Sequence, residues 1–327
     1  MVRNQNENDT KNFNDEITEK DKILKRLYEI YKTEFINTPF SQRFEKFISD
    51  AREEKLYGIV GAYTRNGKTW CLKDIIKNSG AAKYYSADSR IPVIAVHSSE
   101  STTDMLMSLC RACGKVPNSK TSMLKNWLIE NIPRLGVQQI IIDDAHELSI
   151  KHFKFIKELI DVLELEKNYV LSLVMVSITS SNNIGVYRKI INYSTEDWMQ
   201  QFFERFRYYR EVEGHTEEET GSIIYTYEDL YRPILPKIKL IDYTGNIYGW
   251  LTSPEVDFNN TRRVAMEHLA KLIYHSAKIA VQHDLNSIPL DLIKHVYDVY
   301  LAGPDRLYST ENEPVYKPKN RKVCDAI

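Results

Sequence analysis

Gly61-Ala62-Tyr63-Thr64-Arg65-Asn66-Gly67-Lys68-Thr69-Trp70 follows a short apolar run, 56–60, and its reading decides the fold. A tight turn of small residues, then Gly-Lys-Thr at the mouth of a helix, turns successive backbone N–H groups toward phosphate oxygens. Lys68 then reaches the terminal phosphates of a nucleotide and the Thr69 hydroxyl binds magnesium, the chemistry of a P-loop. The usual spacing places a glycine four residues before Gly-Lys-Ser/Thr. Here Ala62 holds that place and Gly61 stands one residue early. A single methyl group keeps most of the room the turn needs, so the stretch reads as a tolerated variant. The competing reading is a chance Gly-Lys-Thr in a loop. Context weighs against it: an apolar strand precedes, and a helix over 70–78 follows, stopped by Ser79-Gly80. The residues expected to contact nucleotide are Ala62, Tyr63, Thr64, Arg65, Asn66, Gly67, Lys68, Thr69 and Trp70.

A second motif answers the first. Gln138-Gln139-Ile140-Ile141-Ile142-Asp143-Asp144-Ala145-His146-Glu147 is a β-branched run ending in two carboxylates. Such a run reads as a buried parallel strand whose acids emerge at its C-terminal end, where ligands sit in open α/β sheets. Asp143 is expected to hold magnesium, and Asp144 to orient or deprotonate the attacking water.

Composition sets the bounds. At 327 residues the chain has room for more than one domain. Lys and Arg number 44 against 45 Asp and Glu, so contact with DNA must come from a local patch or from a surface assembled from several subunits. A polar start and the lack of any apolar run near the length of a membrane span argue for a cytoplasmic, reduced protein with no membrane partner. Cys110 and Cys113 have the spacing of half a zinc site, but no second pair exists and the segment reads as helical. Packing as small apolar groups is the alternative to metal.

In chain order, 1–20 is too polar to bury a core and is expected to be disordered. Two helices follow within 21–55: Thr18 and Asp21 form a capping box for the first, and the second, 41–54, carries Phe44, Phe47 and Ile48. A strand over 91–97 and a helix over 104–113 come next. A helix over 120–131 is expected to end at Pro133, and a long amphipathic helix runs over 149–166 with Phe153, Ile156, Leu159, Ile160 and Leu163 as its buried stripe. Lys115, Lys120 and Thr121 read either as solvated surface or, in a ring or filament, as contacts to a DNA backbone. The apolar strand 169–178 leads to Thr179 and a polar run, one of whose residues can sense the terminal phosphate.

Arg205 lies among aromatic residues just before a strand over 208–212. It reads either as an arginine presented to a neighbouring subunit's phosphates or as an ion pair with Glu204 or Glu211. Beyond it the sequence becomes helical. Thr216 and Glu219 cap a helix to Tyr231, 243–254 reads as a loop, and Asn260 is expected to cap a helix over 261–282. Arg262 and Arg263 then fall in its first turn, unfavourable against the helix dipole, which points to an anionic partner such as a triphosphate. A last helix, 290–301, precedes a flexible tail over 303–327.

P-loop, acidic strand, polar strand end, Arg-Phe turn and paired arginines, in this order, resemble an AAA+ ATPase. The wording Tyr-Thr-Arg-Asn-Gly-Lys-Thr and Asp-Asp-Ala-His is similar to that of the TnsC and TniB ATPases of transposons, whose P-loops often carry Arg where Arg65 stands. The resemblance covers about 40–302. The implied fold is α/β, a P-loop AAA+ core with a parallel sheet flanked by helices over 56–213, then a small all-helical lid over 214–302. It implies ATP and magnesium as ligands, Lys68 and Thr69 in the P-loop roles, Asp143 at the metal, Asp144 and Arg205 as catalytic residues, and Arg262 as the sensor arginine of the lid. It also implies self-assembly into a ring or filament on double-stranded DNA and partners of the TnsA/TnsB transposase and TniQ adaptor types, with an RNA-guided target complex in CRISPR-associated versions. The family's second acid is usually Glu, and Asp144 is one methylene shorter, which implies slow hydrolysis suited to a switch. Three rivals stand beside this reading. Asp-Asp-Ala-His is similar to a helicase DExH box, but 214–327 lacks the strand pattern of a second motor domain. A small-molecule kinase also has a P-loop, and a nucleotide-bound scaffold needs no hydrolysis.

Overall fold

The computed structural model describes residues 18–80, 90–115, 120–180, 183–193 and 197–302. The expected disordered start, the tail and Cys324 fall outside these, apart from 18–20, whose Thr18 caps the first helix. The described chain runs α1 (Glu19–Thr33), α2 (Pro39–Glu53), β1 (Tyr57–Ala62), α3 (Lys68–Asn78), β2 (Val93–His97), α4 (Thr102–Ala112), α5 (Thr121–Leu135) and β3 (Gln139–Asp143). It continues through α6 (Ile150–Leu165), β4 (Ser172–Ser180), β5 (Asn183–Ile184), α7 (Gly185–Asn192), α8 (Asp197–Arg205) and β6 (Tyr208–Val212). The C-terminal part is helical: α9 (Glu217–Tyr231), α10 (Thr244–Leu251), α11 (Met266–Gln282) and α12 (Leu290–Tyr300).

Five strands form one parallel sheet in the order β2-β3-β4-β1-β6, and β5 adds a short antiparallel pairing to β4. Alternation along each central strand sorts its side chains onto two faces. Val60, Ala62, Ile141, Val174 and Val176 pack under α2 and α3. Ile59, Ile140, Ile142, Leu173 and Met175 pack under α4 to α8. Both faces are therefore covered, which is why these strands read as continuous apolar runs. The stripe expected on α6 is buried at all five positions.

Local chemistry sets several helix starts. Thr18 with Asp21 and Thr216 with Glu219 form the expected capping boxes, and Thr38 with Ser41 forms a further one, with Pro39 in the first turn of α2. Three expectations are corrected. Pro133 does not end α5; the helix carries it and closes at Leu135 because Gly136, at φ 67°, supplies the left-handed cap. The stretch read as a loop over 243–254 contains α10, whose Ile247 and Leu251 are buried. The helix expected from 261 begins only at Met266: Asp257 accepts the Arg262 N–H at 2.7 Å, and Val264 pairs with His215 as an isolated antiparallel bridge.

The two N-terminal helices do different work. α2 belongs to the sheet's core, whereas Leu27 and Ile30 of α1 are buried with Leu269, Leu272 and Ile273 of α11. Cys71, Cys110 and Cys113 are buried and free, and burial pushes the thiols of Cys110 and Cys113 up to about 11 and about 12, which agrees with packing rather than metal binding. Among the described residues no helix is long and apolar enough to cross a membrane.

Sheet and lid meet at Gly214, two residues after β6. A Cβ there would stand 2.7 Å from the Val264 carbonyl oxygen, a backbone atom that cannot step aside. Gly214→Ala is expected to cost about 1–3 kcal/mol by overpacking. Urea denaturation checks it, and a variant as stable as the wild type would contradict the close approach.

Candidate nucleotide site

The turn after β1 carries two left-handed residues, Arg65 at φ 67° and Gly67 at φ 89°. Gly67 is the N-terminal cap residue of α3, and its carbonyl accepts the N–H groups of Trp70 and Cys71, both at 3.0 Å. The helix thus opens beneath the turn, where unsatisfied N–H groups and the positive end of its dipole favour anions. Lys68 is buried in this cradle, with Nζ donating to the carbonyls of Ala62 at 3.1 Å and Tyr63 at 3.2 Å. Burial holds its pKa below the ordinary lysine value, partly offset by Asp143 and Asp144. A phosphate chain would restore what burial removes. Thr69 and Trp70 remain exposed at the mouth.

Asp143 is buried at the C-terminal end of β3. Its carboxylate accepts the Thr69 hydroxyl at 3.4 Å and the Asp144 N–H at 3.0 Å. Desolvation, with Asp144 second, raises its pKa. Asp144, the residue after the strand, adopts the left-handed conformation at φ 53°, and its side chain is half-exposed. His97, at the end of β2, places Nδ1 3.5 Å from Asp143 Oδ2 and 3.9 Å from Asp144 Oδ2. The three side chains offer donor atoms within 4.8 Å of one another, beside the Thr69 hydroxyl. A divalent cation fits this set: two carboxylates converge with only a long-range imidazole and the buried Lys68 to offset them. Thr179, at the end of the adjacent β4, is buried with its hydroxyl unpartnered among the described residues, as suits a group reserved for a ligand. The residues just after it, 181–182, lie outside those described.

A feature the sequence reading missed completes the cleft. A cavity of about 270 Å³ lies between the α1–α2 connection, the start of α3 and the lid, lined among others by Phe35, Ile36, Thr38, Trp70, Tyr227 and Met266. It adjoins Gly67 and is apolar and aromatic, so it suits a planar base whose phosphates lie in the turn. The signal in the sequence is the aromatic content of 31–40, with Tyr31, Phe35 and Phe40. The lid closes over the turn through Arg65, whose carbonyl accepts the Glu267 N–H at 3.0 Å and whose Nη1 lies 2.6 Å from His268 Nε2.

Arg262 and Arg263 precede the first turn of α11, which begins at Met266, so the dipole argument for an anion does not apply to them. Arg262 is exposed at φ 53°, while Arg263 pairs with Glu213 at 2.6 Å and lines a second cavity with Arg65, Asn66 and His268. Arg205 makes an intramolecular ion pair, but with Asp161 at 2.9 Å and Glu164 at 3.6 Å rather than Glu204 or Glu211. Glu164 also accepts the hydroxyl of Tyr57, the first residue of β1. Lys68 lies beyond the last residue of that strand, so Arg205 stands roughly 20 Å from its own chain's phosphate cradle at the usual strand rise. Lys120 and Thr121 are exposed at the start of α5, and Lys115 lies over the Trp127 ring at 5.7 Å. Thr121 borders a shallow depression with Thr102, Lys125, Lys151 and Lys154, of which Lys125 is paired to Glu158 at 2.6 Å. The sequence reading did not single out these additional lysines.

Residues 51–181 match the family described as AAA domain. Comparison with curated protein sequences finds no match. Among solved structures, the ORC2 protein of Aeropyrum pernix in its ADPNP-ADP complexes aligns with a TM-score of 0.57 at 10% identity, over 83% of this chain and 70% of that one. Cdc6p from Pyrobaculum aerophilum aligns with a TM-score of 0.57 at 12% identity, over 80% of this chain and 67% of that one. The fold is the Orc/Cdc6 type of AAA+ fold, a parallel sheet flanked by helices with a helical region after it.

The joint between turn and lid is sensitive to acid. Burial holds His215 and His268 at about 4, against an ordinary 6.5, and the neighbouring Arg65 and Lys271 add to the effect at His268. Between these values the unfolded chain binds more protons than the folded one, so stability falls as pH drops from 6.5 toward about 4. Urea midpoints measured across that window are expected to fall, less steeply in His268→Gln. An unchanged slope in the variant would show that His268 does not contribute.

Proposed function

Proceeding from an AAA domain with its phosphate cradle already formed, we propose that this chain is an ATP-dependent, DNA-binding regulator of transposition of the TnsC kind. It assembles on duplex DNA when loaded with ATP and links a target-selection complex, through a TniQ-type adaptor, to a TnsA/TnsB-type transposase. The observation that carries the ATPase part is the convergence of Lys68, Thr69, Asp143 and Asp144 at one end of the sheet. Lys68 holds the β- and γ-phosphates, and Trp70 lines the cavity suited to the base. Thr69 and Asp143 hold magnesium, which when bound neutralises charge developing on the transferred phosphoryl group. Asp144 orients the attacking water and accepts its proton, and Thr179 contacts the terminal phosphate. Arg262 is retained as the lid's sensor arginine, its exposure leaving it free to turn toward nucleotide.

Arg205 acts on a neighbouring subunit's nucleotide. Its distance from the cradle of its own chain supports this, and its ion pair with Asp161 and Glu164 stores the guanidinium until subunits meet. Lys115, Lys120 and Thr121 contact the DNA backbone, joined by Lys151 and Lys154, which border the same depression as Thr121. With a near-neutral chain, each subunit supplies a few such contacts, and sequence-independent binding follows from repetition. The resemblance in the P-loop and acidic-strand wording, rather than the fold, carries the transposition part of the reading. A second reading, a nucleotide-bound scaffold without hydrolysis, rests on the short side chain of Asp144.

Sedimentation with ATP, magnesium and duplex DNA together is expected to show large assemblies. Lys68→Ala should abolish them and Asp144→Asn should preserve them without turnover; assembly by Lys68→Ala equal to wild type counts against an ATP switch. Arg205→Ala should bind nucleotide normally yet lose about a thousandfold in turnover. Mixing it with Lys68→Ala protein should restore part of the rate. If wild-type protein assembles but releases no phosphate, the scaffold reading replaces the enzyme. Raising salt should weaken DNA binding steeply, and a flat response removes the backbone contacts.

A further inference from the structure

His97 is the part of the nucleotide cleft that neither the P-loop reading nor the acidic strand requires. It is the last residue of β2, and in the parallel ladder it stands directly beside Asp143 of β3. Residues at matching positions on adjacent strands share a face, so the register delivers imidazole and carboxylate to the same spot. The 3.5 Å and 3.9 Å separations from Asp143 and Asp144 are ion-pair distances, beyond those of well-formed hydrogen bonds to these acids. They lie between the spacings expected of donor atoms around one octahedral ion with bonds of about 2.1 Å, roughly 3.0 Å for neighbours and roughly 4.2 Å for opposite positions. With its side chain two-thirds exposed, the imidazole is free to turn toward a ligand in the cleft.

We propose that His97 is a ligand of the divalent cation that accompanies the nucleotide, and that its nitrogen shifts the site's preference from magnesium toward first-row transition ions such as manganese. This rests on the nucleotide reading above and deepens it. Magnesium favours oxygen donors and keeps its waters, whereas manganese and its heavier neighbours accept imidazole together with carboxylate, hydroxyl and phosphate oxygens. One nitrogen from His97 with oxygens from Thr69 and Asp143 makes such a mixed set. Asp144 remains with the attacking water.

The test uses the full chain with manganese as the probe and a non-hydrolysable ATP analogue. Pulsed electron paramagnetic resonance on protein carrying isotope-labelled histidine reports whether a protein nitrogen is bound to manganese, with no interference from the base. Coupling to labelled histidine is expected in the wild type and its loss in His97→Ala. The ratio of nucleotide affinity with manganese to that with magnesium should fall about tenfold in His97→Ala. His97→Asp, which supplies oxygen instead, should bind nucleotide with magnesium at least as well as the wild type and show no histidine coupling. Manganese-dependent nucleotide binding without histidine coupling, and with the affinity ratio unchanged in His97→Ala, overturns the proposal while leaving the P-loop reading intact. Failure of the wild type to bind nucleotide with either ion overturns both.

Discussion

Burying the ammonium of Lys68 under the turn is the constraint on which the cleft depends. The charge loses most of its water and receives in return two backbone carbonyls and the more distant fields of Asp143 and Asp144. Asp143 suffers the reciprocal loss, buried next to a second carboxylate. Among the described residues neither charge is fully compensated, and a metal-bound polyphosphate would supply both missing partners at once. The sheet enforces the arrangement, because β1 and β3 flank β4 and all three end at the same edge. Asp143 and Thr179 therefore arrive together on neighbouring strands, and the cradle follows directly from a third.

The turn at that edge meets the lid at Arg65. Arg65 occupies a conformation unusual for a residue with a side chain, and both its backbone carbonyl and its guanidinium are held by the start of α11. The cavity suited to the base is shared between the α1–α2 connection, α3 and the lid. Occupying it touches all three, so a ligand there bears on their relative placement as well as on its own affinity.

The sheet, the turn and the acids were legible in the sequence because each is written locally: a β-branched run, a Gly-Lys-Thr, a pair of aspartates. Capping boxes at Thr18 and Thr216 were legible for the same reason. What escaped depends on contacts distant in sequence. The start of the lid helix was misplaced because Asn260 reads as a cap, whereas Asp257 holds the Arg262 amide and Val264 is taken by His215. Pro133 was read as a stop although Gly136 sets the end of α5. The partners of Arg205 lie on α6, some forty residues away in sequence, where spacing arguments do not reach. His97 gave no signal by itself, since only the register of two strands brings it to Asp143.

The placement of α1 makes the lid discontinuous in sequence. Its apolar core is assembled from a segment that precedes the sheet and from segments that follow it, so the chain crosses the border between the two halves once at 34–38 and again near 213–216. No single cut separates them cleanly. An isolated C-terminal fragment would leave the apolar side of α11 bare where Leu27 and Ile30 belong, while an isolated sheet fragment would carry a stray amphipathic helix. Two tethers also restrict how far the halves can part, and the first lies along the cleft and forms part of its wall.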